Sequence, residues 1–312
     1  MTKPRILFMG TPDFALPALT MLHDRQYPIV GVVTQPDRKA GRGQQATAPP
    51  VKLLAQQCGL TVYQPQRVKD PDFLDLFYQI HCDMVVVAAF GQILPKTIID
   101  FPRYGCLNIH PSLLPKYRGA APLNWSIIRG ETTTGVTIMQ MDEGMDSGDI
   151  LLQEETPIGE NETAGELHNR LAKRGANLLC QTIEQVVSGA ARRKPQDASG
   201  VTFAPRLTKD TGKINWSDKV FDIVNLIRGL SPSPAAYTSL EEQTLKIFSA
   251  AAMPGPVNRP PGSIDEAAAE GLKVAASDGY VILKDVQLAG KKRMLTQDFL
   301  RGYHIKEGTA LT

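Results

Sequence analysis

The chain has 312 residues, enough for two domains and at least one substantial core. Its composition is that of an ordinary soluble protein, and 34 basic against 32 acidic side chains leave a net charge of +2. That balance excludes global disorder and a bulk polycation, so any nucleic-acid contact has to come from local clusters.

Short β-branched runs alternate with helical patterns from the N-terminus onward. Ile6-Leu7-Phe8-Met9 reads as a strand; preceded by Lys3 and Arg5, it is too short for a signal-peptide core, and no stretch is long enough to span a bilayer. A helical pattern near Phe14 to His23, a strand at 29–33, a helix at 51–57, another at 73–80 and strands at 84–87 and 107–109 follow. This rhythm predicts an α/β fold with a mostly parallel sheet and helices on both faces, whose ligands bind beyond the carboxyl ends of the strands. The connection from Gln35 to Pro50 is too long for a tight turn, and Arg38, Lys39 and Arg42 make it basic. Thr133 to Met141 and Ile150 to Glu155 predict two more strands, joined by the acidic loop 142–149. A long helix is expected over about 163–187, opened by a capping box of Thr163 and Glu166 and striped by Leu167, Leu171, Leu178 and Leu179.

Residues 188–210 turn polar, glycine-containing and basic, as a linker does. Beyond them come a short helix at 218–228 and strands at 245–248, 272–274 and 280–283, the last two joined by the hairpin turn Ser277-Asp278-Gly279. A small β-barrel is the natural closure for such strands.

The chemistry concentrates in Asn108-Ile109-His110-Pro111-Ser112-Leu113-Leu114-Pro115. With a side-chain period of two, Asn108 and His110 project from one strand face, and Pro111 and Pro115 stop the strand or a helix from running on. An amide can donate to a developing oxyanion, and a carboxylate can orient an imidazole and favour its charged form. Asp146, in Met145-Asp146-Ser147-Gly148-Asp149, is the best candidate for that carboxylate. No serine or cysteine sits in a nucleophile motif, so direct transfer is favoured over an acyl-enzyme.

Other signals are weaker. Gly41-Arg42-Gly43 lacks the third glycine of a dinucleotide fingerprint, and Gly10-Thr11-Pro12 puts proline where a phosphate loop needs an N–H. Asp142, Glu143 and Asp149 have no histidine at ligand spacing, so no metal is expected. Cys58, Cys82, Cys106 and Cys180 have no C-x-x-C spacing and read as reduced thiols of a cytosolic protein. His23, His81, His168 and His304 read as structural. Lys291-Lys292-Arg293 and Arg192-Arg193-Lys194 are basic patches which, taken alone, are more often a solvated face.

Together these segments carry a resemblance. Gly10-Thr11-Pro12-Asp13-Phe14-Ala15, Thr34-Gln35-Pro36-Asp37-Arg38, Ala40-Gly41-Arg42-Gly43, Ala89-Phe90-Gly91-Gln92-Ile93-Leu94-Pro95, the run from Asn108 to Pro115, Tyr117-Arg118-Gly119-Ala120-Ala121-Pro122, Gly135 to Met139, Met145 to Asp149 and Ile214-Asn215-Trp216-Ser217 make the sequence similar to the methionyl-tRNA formyltransferase family along essentially its whole length. The Asn, His and Asp set is shared by folate-dependent formyltransferases in general; the basic loop and the C-terminal region narrow the likeness to the tRNA branch. One departure is Ser231-Pro232-Ser233-Pro234, where the family usually has tryptophan between the prolines.

The resemblance implies a Rossmann-like catalytic domain over 1–189, a linker over 190–209 and an OB-like tRNA-binding domain over 210–312. It implies 10-formyltetrahydrofolate as donor, no metal, and the α-amino group of initiator methionyl-tRNA as acceptor, with neither a membrane nor an obligatory protein partner. Asn108, His110 and Asp146 would be catalytic; Ser112, Leu113, Leu114, Pro115, Phe90 and Gly91 would bind the folate; Arg38, Lys39, Arg42, Lys291, Lys292 and Arg293 would bind tRNA. Formyltransferases acting on an amino-sugar nucleotide or glycinamide ribonucleotide, or a formyltetrahydrofolate hydrolase, share the same triad and stand as alternatives, as does a binding-only RNA protein.

Overall fold

The structure is a computed structural model that describes residues 2–40, 45–268 and 271–312. In chain order the elements are β1 (Ile6–Gly10), α1 (Leu16–Asp24), β2 (Ile29–Val33), β3 (Arg38–Ala40), β4 (Gln45–Thr47), α2 (Pro50–Gln57), β5 (Val62–Tyr63), α3 (Pro71–Ile80), β6 (Met84–Ala88), α4 (Lys96–Asp100), β7 (Cys106–His110), β8 (Arg118–Gly119) and α5 (Pro122–Ile128). They continue with β9 (Thr133–Gln140), β10 (Ile150–Pro157), α6 (Ala164–Ser188), β11 (Phe203–Ala204), α7 (Val220–Leu230), β12 (Ala236–Leu240), β13 (Gln243–Pro254), β14 (Ile264–Ala268), β15 (Gly271–Ala275), β16 (Gly279–Leu288), β17 (Met294–Leu295) and α8 (Thr296–Gly302). Contacts divide the chain into one unit of residues 1–119, 134–156 and 168–203, and a second of residues 120–133, 157–167 and 204–312.

The first unit is built on a seven-stranded sheet in the order β10-β9-β7-β6-β1-β2-β5. The run from β7 to β5 is parallel, whereas β9 lies antiparallel to β7 and β10 folds back on β9 through a Gln140 to Asp149 hydrogen bond. The expected Rossmann-like character is therefore present, with an antiparallel pair added at one edge. Every residue of β1 and β6 is buried, as strands covered on both faces must be. Leu7, Met9, Val85 and Val87 line one face with Phe73, Phe77 and Ile98. On α6 the capping box forms as its residues dictate: the Thr163 N–H donates to Glu166 Oε2 at 2.9 Å and the Glu166 N–H to Thr163 Oγ1 at 3.3 Å. Its leucine stripe is buried. Gly175 lets α6 lie close to β7, since a Cβ there would come within 2.7 Å of Ile109 Cγ2. Ile109 thus turns toward α6, which sends Asn108 and His110 to the opposite face.

In the second unit α7 lays Val220, Ile223, Ile227 and Leu230 against an antiparallel sheet ordered β12-β13-β16-β15-β14, with β17 paired to β16. The last residues tie its two edges together. Thr312 exchanges hydrogen bonds with Ser239 in β12, and the Ile264 N–H of β14 donates to Thr309. That closes the small β body expected from the alternating segments, with α7 packed against it. The hairpin turn at 277–279 is where the sequence places it, with Ala275 opposite Tyr280.

Several elements differ from expectation. The long basic connection contains a hairpin, β3 with β4, pairing Arg38 with Thr47 and Lys39 with Ala46; ladder bonds satisfy peptide groups that a bare loop would leave to water. Helix α1 begins at Leu16, after a 3₁₀ turn at Asp13–Ala15, and α7 spans Val220–Leu230 rather than 218–228. The short helices α4, α5 and α8 have five to seven residues, too few for a periodic pattern to declare them.

Candidate active site

Strand β7 ends the parallel run, and its carboxyl end carries the site. Asn108 sits level with Val87 of β6 and Met139 of β9, and His110 with Thr137. The Asn108 carboxamide is half-buried and has no hydrogen-bond partner among the described residues, so its N–H groups remain available to a ligand oxygen. His110 is 4% exposed. Its Nε2 lies 3.0 Å from the Tyr117 carbonyl oxygen, which can only accept, so Nε2 carries a hydrogen. Nδ1 is left facing Asp146, with Oδ1 at 3.7 Å. Both nitrogens therefore look toward acceptor oxygens.

Asp146 reaches this position from the connection between β9 and β10. Its backbone is left-handed, φ 51°, a conformation that aspartate tolerates better than most residues. The Gly119 N–H donates to Asp146 Oδ2 at 2.8 Å, fixing the carboxylate so that Oδ1 faces the imidazole. His110 and Asp146, from separate stretches of the chain, thus face one another, and Asn108 lies two residues before His110 on the same strand.

The turn after β7 is held from below. Thr137 Oγ1 donates to the Ser112 carbonyl at 2.7 Å and accepts from the Leu114 N–H at 3.1 Å, while Gln153 Nε2 donates to both Thr137 Oγ1 and the Leu114 carbonyl at 2.8 Å. Ser112 is fully buried and donates to the Lys116 carbonyl; Leu114 packs with Met139 and Ile150. The side chains of Ser112 and Leu114 therefore shape the turn, and Leu113 and Pro115, both half-buried, are the members with surface to offer. After β6, Phe90 is turned into the core with its carbonyl accepting from Thr11 Oγ1 and Gln35 Nε2, whereas Gly91, φ 83°, is exposed.

The basic candidates separate. Arg38 is exposed and donates to Gln35 Oε1 at 3.0 Å; Lys39 lies on β3; Arg42 falls outside the described residues. Near Arg38, hydrogen bonds from Gln64 and Lys52 hold the Asp37 carboxyl below its usual range. In the second unit Lys291 and Lys292 are exposed, but Arg293 is engaged: its guanidinium bonds Asp285 at 2.6 to 3.0 Å and covers the Phe248 ring at 4.2 Å. Of the other histidines, His168 lies edge-on to Phe14 and 3.5 Å from Asp13. The sequence assigns no role to Thr137, Gln153, Arg118, Gln196 and Thr202. Thr137 and Arg118 lie within segments that carry the family resemblance, but isolated polar residues beneath a loop leave no spacing signal.

The N-terminal formyl transferase pattern matches residues 4–183, and the formyl transferase C-terminal domain pattern matches 206–304. With the doubly covered sheet and the Asn108, His110 and Asp146 cluster, these matches place the chain among the formyl transferases. It is 55% identical over 311 residues to a methionyl-tRNA formyltransferase of Syntrophus aciditrophicus, covering 100% of both chains, and 47% identical over 311 residues to that of Geotalea uraniireducens, covering 100% of this chain and 99% of the other. Within the class, the chain belongs to the methionyl-tRNA formyltransferase family. Among solved structures, WlaRD, a sugar 3N-formyl transferase determined in the presence of dTDP and 5-N-formyl-THF, superposes with a TM-score of 0.67 at 22% identity, covering 94% of this chain and 100% of that one, a likeness of fold alone.

Proposed function

We infer that the chain transfers the formyl group of 10-formyltetrahydrofolate to the α-amino group of initiator methionyl-tRNA in the cytoplasm, yielding N-formylmethionyl-tRNA for translation initiation. The observation that carries this reading is a carboxamide without a partner among the described residues, on the strand that carries a histidine–aspartate pair, in a chain matching methionyl-tRNA formyltransferases from end to end. The donor supplies an electrophilic one-carbon carbonyl, and the three side chains fit such a group: Asn108 offers N–H donors where negative charge develops on its oxygen. Attack by the neutral amine forms the new N–C bond. Asp146 accepts the proton that the amine loses and, through the facing imidazole, keeps it near the leaving nitrogen, which recovers it as the old C–N bond breaks. His110, its Nε2 held by the Tyr117 carbonyl, keeps Nδ1 turned toward Asp146. Gly91, Leu113 and Pro115 are the surfaces we assign to the folate, and Arg38, Lys39, Arg42, Lys291 and Lys292 to the tRNA backbone. We assign catalysis to residues 1–189, the connection to 190–209 and the tRNA platform to 210–312.

Incubation with 10-formyltetrahydrofolate and methionyl-tRNA should give N-formylated product, with amino-sugar nucleotides and glycinamide ribonucleotide left unformylated. Preferential formylation of either small amine would overturn the assignment of acceptor.

A further inference from the structure

Between α6 and α7, the chain does more than connect. Lys194 exchanges two 2.9 Å backbone hydrogen bonds with Ile150, at the foot of the loop that carries Asp146. Further on, Thr202 accepts from the Arg118 N–H at 2.9 Å, and its Oγ1 accepts from the Tyr117 N–H at 2.8 Å. Tyr117 is the residue whose carbonyl holds His110 Nε2. Between these anchors lies Gln196, half-buried, with a side chain that uses its whole bonding capacity. Nε2 donates to the Asp146 carbonyl at 2.8 Å and to the Gly148 carbonyl at 2.7 Å; Oε1 accepts from Arg118 Nε at 3.0 Å and Nη2 at 2.7 Å.

The chemistry of those partners settles which way the amide points. Two carbonyls require the NH₂, and a guanidinium requires the oxygen, so a flipped amide would face like against like on both sides. One planar group thus grips two carbonyls across the turn at Asp146 and is itself locked by an arginine one residue before Gly119, whose N–H holds the Asp146 carboxylate. Residues 142–145 of that loop are exposed, and Asp146 to Asp149 are drawn in. Met145 at its tip is exposed, and among the described residues the turn is held by Gln196 and Gly119, with Ser147 Oγ donating to Asp142 within the loop.

We propose that Gln196 is a positioning residue for the transfer reaction: through the Asp146 and Gly148 carbonyls it sets the distance between the Asp146 carboxylate and His110, making the connecting segment part of the catalytic apparatus. The inference rests on the reaction proposed above. It also names what the position requires. An NH₂ with two hydrogens on one side and an acceptor on the other is supplied by glutamine alone among side chains of this length; glutamate keeps the acceptor for Arg118 but presents oxygen to two carbonyls.

The test compares Gln196→Ala and Gln196→Glu, alone and in an Asp146→Ala background, with both substrates titrated. Each single variant should lower kcat by about 10- to 100-fold, the range for displacement of a reacting group by around an ångström. KM for folate and for methionyl-tRNA should stay within a few-fold. In the Asp146→Ala background either substitution should lower kcat little further, because a residue acting through Asp146 has nothing left to position. Losses that multiply in that background, or full kcat for Gln196→Glu, would overturn the proposal. A crystal structure of Gln196→Ala with Asp146 Oδ1 still 3.7 Å from His110 Nδ1 would overturn it too, with no reliance on turnover. Absence of formyl transfer by the unaltered protein would instead strike at the reaction, leaving the crystal structure to decide the positioning role.

Discussion

Of Asn108, His110 and Asp146, Asn108 alone has a side chain without a hydrogen-bond partner among the described residues, and this singles it out. His110 is tied to Tyr117 and Asp146 to Gly119, so both are already engaged before a ligand arrives. On the proposed reaction, a group held in place by the strand on either side, yet with its hydrogens unspent, would be preorganised for charge that exists only in the transition state. Asn108→Ala should therefore lower kcat by about 10² to 10³ and leave folding and KM nearly unchanged; turnover close to normal would remove its role. The thiols make an opposite case. Burial pushes Cys82 up to about 11 and Cys106 higher still, and it raises Cys180 as well, while Cys58 is only half-buried. Near pH 8 the folded protein should react quickly with one equivalent of an aromatic disulfide reagent and with four after denaturation. Rapid reaction of three or four thiols in the native state would contradict the packing at β6, β7 and α6. Sequence alone could mark these cysteines as unpaired, but their inertness comes from neighbours distant along the chain.

At the level of elements, the site depends on how the hairpin of β9 and β10 turns. Gly148 is the residue on which the turn hinges: a Cβ there would lie 1.8 Å from the Gln140 carbonyl oxygen, a backbone atom that cannot swing aside. Gly148→Ala must open the neck of the loop, and Asp146, two residues earlier, moves with it. The expected result is a fall in kcat of about 10- to 100-fold with a melting temperature lowered by only a few degrees; unchanged kcat in a folded variant would show that the neck does not control Asp146. The strands themselves were legible because they are continuous apolar runs, and α6 because its capping box and leucine stripe agree. The hairpin of β3 and β4 was not. Its residues, Arg38-Lys39-Ala40 and Gln45-Ala46-Thr47, show no apolar alternation, since neither strand joins a core sheet. Gln196 was hidden for a related reason. It lies in a polar stretch, where its importance arises from four bonds to residues 48 to 78 positions away.

For the molecule as a whole, a net charge of +2 places the burden of holding a polyanion on a few unpaired cations. The structure sorts them. Arg293, although adjacent to Lys291 and Lys292 in sequence, is neutralised by Asp285, whose hydrogen bonds raise the guanidinium pKa, and it shelters Phe248. Lys291 and Lys292 stand exposed beside it, with no carboxylate partner among the described residues. A run of three like charges thus divides into two cations for solvent or phosphate and one that braces β16 against β17. If the exposed pair meets the tRNA backbone, KM for methionyl-tRNA should climb steeply with salt while KM for the folate changes far less, because each neutralised phosphate releases condensed counterions. Lys291→Ala and Lys292→Ala should each flatten the log–log salt dependence by about 0.7 to 0.9, the increment for one lost phosphate contact. Arg293→Ala should leave that slope alone and lower the melting temperature instead, since what it loses is an ion pair and a ring contact within the fold. A salt slope that Arg293→Ala flattens as much as the lysine changes do would mean that the arginine exchanges Asp285 for phosphate on binding, and the division of the patch into binding and bracing members would fail.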